Sequence, residues 1–115
     1  MAIISNLTVD QGSSFSVDID VTDADGDALD LAHYNAAGNV RGMMRKTYTS
    51  ATKTDFTCDI SNESGGVVNI ALSATQTHGL KAGRYVYDVE IEHNTTNKVT
   101  RIVEGQVEIT PGVTY

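Results

Sequence analysis

The chain has 115 residues, of which 40% are hydrophobic, and a formal net charge of -7. This length predicts one domain, residues 1–115, with a single hydrophobic core. The acidic balance argues against nucleic acid as a partner, and no apolar run approaches the roughly 18 residues of a membrane-spanning helix, so we expect no membrane contact.

Alternating apolar and polar residues predict short β-strands in the first third of the chain. Residues 3–9 form the first strand. Residues 14–22 give the clearest alternation, with the apolar side chains directed into a core and the aspartates directed to solvent. Asp25-Gly26 then predicts a tight turn, because glycine readily adopts the positive φ that such a turn needs.

The next predicted strand, residues 40–48, combines arginines with apolar residues. We expect Val40 and Met44 to face the core, because the opposite assignment would bury Arg41 and Arg45 at high cost. Residues 47–54 predict a polar connection that could hold one helical turn.

The second half of the chain predicts strands at 55–61 and 68–72, a stretch at 80–92 in which a tight turn over 81–83 leads into a strand, and a last strand or pair of strands at 98–104 and 106–110. Gly105 separates the last two and predicts a β-bulge, since one continuous alternation would place Arg101 inside. The pattern therefore predicts an all-β fold, an immunoglobulin-like antiparallel β-sandwich of about seven strands.

A turn with the residues of a tyrosine corner supports this fold. Leu80, Gly83 and Tyr85 stand where sandwiches of this class place a Tyr whose hydroxyl returns to upstream backbone. The predicted structural core comprises Phe15, Val17, Ile19, Phe56, Ile70, Leu80, Tyr85, Tyr87 and Val89.

Catalytic and metal-binding patterns are weak in this sequence. Asp23, Asp25 and Asp27 are a weak calcium candidate, but the EF-hand pattern fails after them and an Asp-rich turn is the simpler interpretation. Cys58, the single cysteine, lies between Phe56 and Ile60 in strand alternation and is interpreted as a small buried hydrophobe. No nucleophile elbow or phosphate-binding loop is present, so we expect neither enzymatic activity nor a cofactor.

The best candidates for an interface are four cations in the middle of the chain, Arg41, Arg45, Lys46 and Lys53. The alternative is a solvated strand face that balances the net charge. Tyr48 and Tyr115 could anchor contacts as well, since Tyr is enriched at interfaces.

The order of motifs resembles the small Ig-like virion proteins of tailed bacteriophages. The resemblance is carried by the Asp-Gly turn after the strand SFSVDIDVTDADG, by GRYVYDVEI and by EGQVEITPGVT, and it spans nearly the whole chain. It implies a structural role in the virion, after synthesis in the host cytoplasm. The implied partners are other virion proteins, such as the major capsid protein or tail and baseplate proteins, and further copies of this chain.

Within that class the sequence favours a capsid decoration protein, because no receptor-binding or fibre region follows the Ig-like stretch in this sequence. A tail or baseplate accessory protein is the first alternative. A carbohydrate- or ligand-binding module displayed on the particle is the alternative from another class, although the absence of Trp leaves few aromatic residues for stacking on sugar rings.

Overall fold

The computed structural model describes residues 3–23 and 25–113, and within these ranges the chain forms nine β-strands and one short α-helix. In chain order the strands are β1 (Ile3–Ile4), β2 (Leu7–Asp10), β3 (Phe15–Asp20), β4 (Val40–Arg45), β5 (Lys53–Asp55), β6 (Thr57–Asn62), β7 (Val67–Leu72), β8 (Gly83–Glu92) and β9 (Val99–Thr110). The helix, α1, spans Ala74–His78 between β7 and β8, and a single 3-10 turn covers Leu31–His33.

The strands form two sheets that face each other. The large sheet has the order β1-β9-β8-β4-β5, with β2 also paired to β9, and the small sheet has the order β3-β7-β6. Both β1 and β2 run parallel to β9, whereas the other pairs are antiparallel. The prediction of an all-β, immunoglobulin-like sandwich is confirmed.

The strand count exceeds the predicted seven because the first strand is broken after Ile4 and because β5 was not anticipated. The prediction of a polar connection over 47–54 was wrong at its end, where Lys53 pairs with Arg45 of β4 and Asp55 pairs with Met43. β5 is a three-residue edge strand whose exposed side chains are charged, so it lacks the apolar alternation by which strands are recognised.

The core lies between the two sheets and includes four of the predicted core residues, Phe56, Ile70, Tyr87 and Val89. The other five pack against this core but are only partly buried: Phe15, Val17, Ile19, Leu80 and Tyr85. Three of these five belong to β3, which is an edge strand of the small sheet, so one side of each remains accessible.

The tyrosine corner predicted at Tyr85 is present. The Tyr85 hydroxyl donates a hydrogen bond of 2.8 Å to the carbonyl of Lys81, four residues upstream. The preceding helix α1 was not predicted, because five residues are too few to show helical periodicity. It begins with a capping box, in which Ser73 and Gln76 each accept a backbone hydrogen bond from the other.

Gly105 does not form the predicted bulge. The register shift between β8 and β9 lies at Ile102, between the pairs Val89–Val103 and Glu90–Arg101, and Gly105 faces Tyr87 in ordinary register. The reason for glycine is a close approach of backbone: a Cβ at this position would overlap the carbonyl group of Ser5. The same carbonyl accepts a 2.6 Å hydrogen bond from the Tyr87 hydroxyl.

Candidate functional site

The four cations predicted as an interface do not form one patch. Strand β4 buries Gly42 and Met44, so Arg41 and Arg45 extend from the outer face of the large sheet, as predicted. Lys53 is the register partner of Arg45 and lies beside it. Lys46 follows the end of β4 on the other parity, and its ammonium lies 4.8 Å from the centre of the Tyr85 ring.

Two of the four cations, Arg41 and Lys53, are neutralised by carboxylates of the sheet. The Arg41 guanidinium contacts Glu90 at 2.7 Å and Glu92 at 3.1 Å, and the hydrogen bond to Glu90 is the main cause of its raised pKa. Lys53 forms a 2.8 Å ion pair with Asp55.

Arg45 differs from these two cations. Its guanidinium donates a 2.7 Å hydrogen bond to the carbonyl of Ser50 and lies 4.0 Å from the sulfur of Met43. Among residues 3–23 and 25–113, no carboxylate lies within 4 Å of Arg45. Arg45 is therefore a partly exposed cation on the outer face without an ion-pair partner among the described residues.

Next to Arg45 the outer face has a shallow depression of about 240 Å³. Its apolar part comes from Met43 of β4 and Val86 of β8, and Tyr48 of the β4–β5 connection stands at its rim with 85% of its surface exposed. Arg45, Asp88, Arg101 and Glu104 supply its polar lining. We call this depression and its lining the outer-face patch.

Two carboxylates and one guanidinium on the patch form a linked group. Arg101 lies 3.4 Å from Asp88 and donates a 2.9 Å hydrogen bond to Glu104. Burial raises the pKa of the Asp88 carboxyl, and the positive charge of Arg101 offsets part of that rise.

Sequence reasoning assigned no role in a site to Met43, Val86, Asp88, Arg101 or Glu104. For Met43, Val86 and Asp88 the available signal was outward parity on two predicted strands. It could not be used without knowing that β9, β8 and β4 are neighbours in that order.

Charge is distributed unequally between the two outer faces of the sandwich. On β4, β5, β8 and β9 the outer face carries five cations and six carboxylates: Arg41, Arg45, Lys53, Arg84, Arg101, Asp55, Asp88, Glu90, Glu92, Glu104 and Glu108. The outer face of the small sheet carries Asp18, Asp20 and Asp59, with no Lys or Arg on its three strands. Most of the net charge of -7 therefore lies away from the patch.

The Asp-rich segment forms a turn in which Asp23 serves the backbone. The Asp23 carboxylate accepts hydrogen bonds from the backbone N–H groups of Asp25 at 2.9 Å and Asp27 at 3.1 Å. Over residues 3–23 and 25–113, no three potential ligands from His, Cys, Asp and Glu are grouped to hold a metal ion.

The remaining candidates are a thiol and the last tyrosine. Cys58 is partly buried against the core, and burial raises the pKa of its thiol to about 11. Tyr115 lies outside the described residues.

In the part of the chain that the structure describes, no helix is both long and apolar enough to cross a membrane.

No family model and no curated protein matches the chain. Solved structures resemble it distantly. One is InlP from Listeria monocytogenes, with a TM-score of 0.51 and 19% identity over 92% of this chain and 26% of that one. The chain thus spans about a quarter of InlP, and an identity this low shows a common fold alone.

Two further structures resemble the chain less closely. The NK cell receptor Nkp44, a triggering partner in natural cytotoxicity, gives a TM-score of 0.46 and 11% identity over 96% of this chain and 99% of the receptor. A family 123 glycoside hydrolase from Clostridium perfringens gives a TM-score of 0.43 and 13% identity over 96% of this chain and 23% of the enzyme.

Proposed function

We propose that this chain is a structural protein of a phage virion, a capsid decoration protein that acts by protein–protein contact and without a cofactor. The observation that carries the proposal is the outer-face patch, which combines an apolar centre, an exposed tyrosine and a charged rim. Protein interfaces are commonly built in this way, with Met, Tyr and Arg enriched and a polar periphery.

The setting in a virion is supported by the order of motifs along the chain. The strand that ends in the Asp-Gly turn is β3, GRYVYDVEI lies in β8, and EGQVEITPGVT covers the end of β9 and the segment after it. These motifs are framework of the sandwich. We therefore expect them to maintain the fold while the exposed side chains of β4, β8 and β9 make the contacts.

Co-sedimentation with phage parts tests the function. The purified chain is mixed separately with heads and with tails of a phage whose genome encodes it, and pelleted protein is measured. Binding to heads supports capsid decoration, whereas binding to tails alone replaces it with the tail or baseplate accessory role. Binding to neither overturns the proposal.

A charge-reversal pair tests whether the outer face takes part. Arg41→Glu combined with Arg45→Glu should weaken assembly or particle binding while leaving the fold intact, because exposed ion pairs contribute little to stability. Lys81→Glu combined with Lys98→Glu is the matched control, since it makes the same change in net charge at exposed positions outside the strands of the sheet. Equal binding by both double variants would exclude the outer face as the contact surface.

A carbohydrate-binding module is a second candidate, favoured by the position of Tyr48. An exposed aromatic ring beside the carboxylates of Asp88 and Glu104 supplies a stacking surface and hydrogen-bond acceptors for a sugar. A glycan array compares the natural chain with Tyr48→Ala. Binding that this variant abolishes would support the candidate, and an array without binding would remove it.

A further inference from the structure

We infer that the free edge of β3 binds an extended segment of a partner protein in which apolar residues alternate with lysine or arginine. The segment pairs with β3 and adds a fourth strand to the small sheet. This contact is separate from the outer-face patch, which lies on the large sheet, and it does not depend on a role in the virion.

The side of β3 that faces away from β7 has no neighbouring strand among residues 3–23 and 25–113. In the small sheet β3 pairs with β7 alone. The strands that precede it, β1 and β2, pair with β9 of the large sheet instead. An unpaired edge presents a row of backbone donors and acceptors, which is a template for one more strand.

The register shows which backbone groups lie on this free edge. The N–H of Val21, just after β3, donates a 2.7 Å hydrogen bond to the carbonyl of Gly66, just before β7. Backbone groups alternate in direction along a strand, so residues of the parity of Val21 point to β7 and the others point to the open side. The outward set is Ser16, Asp18 and Asp20, whose backbone groups form no hydrogen bond within the described chain.

Beside the free edge, the inner faces of the two sheets are not fully covered. Ile3 is the register partner of Val103 and shares its inward face, yet Ile3 is 49% exposed and Val103 is 1% exposed. Val17 and Ile19 face the same space from β3 and are only partly buried. A depression of about 240 Å³ lies between these side chains. The apolar residues of an added strand would fill it.

The outward residues of β3 determine the charge of the partner. Asp18 and Asp20 are exposed and form no ion pair within the described chain. The three strands of the small sheet carry no Lys or Arg. Outward side chains of an added strand would lie about 4.5–5.5 Å from these carboxylates, so lysine or arginine there would pair with them.

A second copy of this chain is a poor occupant of the edge. Two β3 edges paired with each other would place the aspartates of one copy beside those of the other, and like charges directly opposite are destabilising. The strands that carry arginine, β4, β8 and β9, already have neighbours on both sides. The complementary strand therefore comes from another protein.

A labelled peptide, Lys-Val-Lys-Val-Lys-Val-Lys, tests the inference with the full chain by fluorescence anisotropy at physiological ionic strength. One control, Val-Val-Lys-Lys-Lys-Lys-Val, keeps the composition and loses the alternation. Another replaces every Lys by Glu and keeps the alternation. The alternating Lys peptide should bind at least about ten-fold more tightly than either control. Equal binding of the first control would mean charge attraction without strand pairing and would overturn the inference.

Two substitutions at Asp18 separate the backbone contribution from the charge. Asp18→Asn removes the carboxylate and keeps the N–H, so peptide binding should weaken about two- to five-fold, as for one exposed ion pair. Asp18→Pro removes the same charge and also the outward N–H, at an edge position where proline is tolerated. It should weaken binding at least about ten-fold beyond the Asn variant, because its ring also blocks the pairing side. Equal binding by two folded variants would contradict strand addition.

Amide hydrogen exchange of the natural chain keeps the inference testable if the proline variant does not fold. In the free chain the N–H groups of Ser16, Asp18 and Asp20 should exchange faster than those of Val17 and Ile19, which pair with β7. The alternating peptide should slow exchange of the first three as its concentration rises. Slowing confined to other strands would overturn the inference.

Exchange also distinguishes the alternative occupant. Protection of the same three amides that increases with the concentration of the chain alone, without peptide, would identify a second copy at the edge and overturn the inference. Neither result affects the proposed function, because co-sedimentation with heads or tails tests that separately.

Discussion

The hydroxyl of Tyr85 donates a 2.8 Å hydrogen bond to the carbonyl of Lys81, and this contact closes the turn that leads from α1 into β8. Tyr85→Phe keeps the ring and removes that hydrogen bond. We expect the free energy of unfolding to fall by about 0.5–1.5 kcal/mol, the usual net contribution of one such bond. Urea denaturation followed by circular dichroism measures the change.

Tyr48→Phe is the control for this substitution, because Tyr48 is 85% exposed. It should leave the midpoint of unfolding where it is. Tyr85 lies on the inward parity of β8, so Tyr85→Phe should also leave association of folded chains unchanged. An unfolding midpoint equal to that of the natural chain would show that the corner contributes no stability.

Gly105→Ala should destabilise the fold because a Cβ would overlap the backbone carbonyl of Ser5. Relief requires β1 to move from β9, which disturbs the Tyr87 hydrogen bond to the same carbonyl. A loss of about 1–3 kcal/mol is expected from overpacking of this kind. Thermal unfolding measures the loss, and Gly79→Ala serves as the control.

Gly79 is a suitable control because its backbone is helical, with φ of -80°, and an added Cβ would meet its nearest atom at 3.7 Å. Its replacement should therefore change stability little. If both glycine variants unfolded at the same temperature as the natural chain, the close approach at Gly105 would have no energetic importance.

These two contacts show what could be predicted from the chain and what could not. Tyr85 and its acceptor are four residues apart, so local sequence predicted the corner. Gly105 was misread as a bulge because the group that requires glycine belongs to Ser5, one hundred positions away. Strand parity likewise predicted that Arg41 and Arg45 face outward, but which carboxylates lie beside them depends on the strand order in the sheet.

For the candidate site as well, the sequence predicted local features but not the contacts between strands. Met43, Val86 and Asp88 could be assigned to the outward parity of their strands from alternation alone, whereas Arg101 and Glu104 lie on the same face only because of the register shift at Ile102. The depression that joins Met43, Val86 and Asp88 arises because β8 and β4 are hydrogen-bonded neighbours, with Asp88 directly opposite Met43. Pairing between strands so far apart in sequence leaves no signature in a single chain.

Thr77 is a fully buried polar residue whose hydroxyl joins α1 to the turn after β2. The hydroxyl donates a 2.8 Å hydrogen bond to the carbonyl of Ser13 and accepts a 3.0 Å hydrogen bond from the N–H of Gly12. Thr77→Val preserves the shape but leaves these backbone groups unpaired. We expect a loss of about 1–3 kcal/mol in the free energy of unfolding.

Thr75→Val makes the same substitution on the same helix at an exposed position, so helix propensity changes equally in both variants. The difference between their urea midpoints therefore isolates the buried hydroxyl. A Thr77→Val protein as stable as Thr75→Val would mean that water or a shifted turn satisfies Gly12 and Ser13.

Asp88→Asn should stabilise the folded chain at neutral pH. Burial raises the folded-state pKa of this carboxyl above its ordinary value of 3.8; Glu90 and Glu104 add to the rise, whereas Arg101 and Arg45 oppose it. A raised folded pKa means that the stabilising contribution of protonated Asp88 is present below pH 3.8 and is lost as the pH rises through the folded value. Asparagine cannot ionise, so the variant avoids the free-energy cost of burying a charged carboxylate at neutral pH.

The gain should be below about 1 kcal/mol, because the Asp88 side chain is 42% exposed and water screens the charges around it. It should vanish when unfolding is measured below pH 3.8, where the natural residue is also neutral. Asp59→Asn, on the exposed face of the small sheet, is the control. Protein concentration must be low enough to keep the chain monomeric, since association would add to the apparent stability. A variant less stable than the natural chain at neutral pH would show that the ion pair with Arg101 outweighs burial.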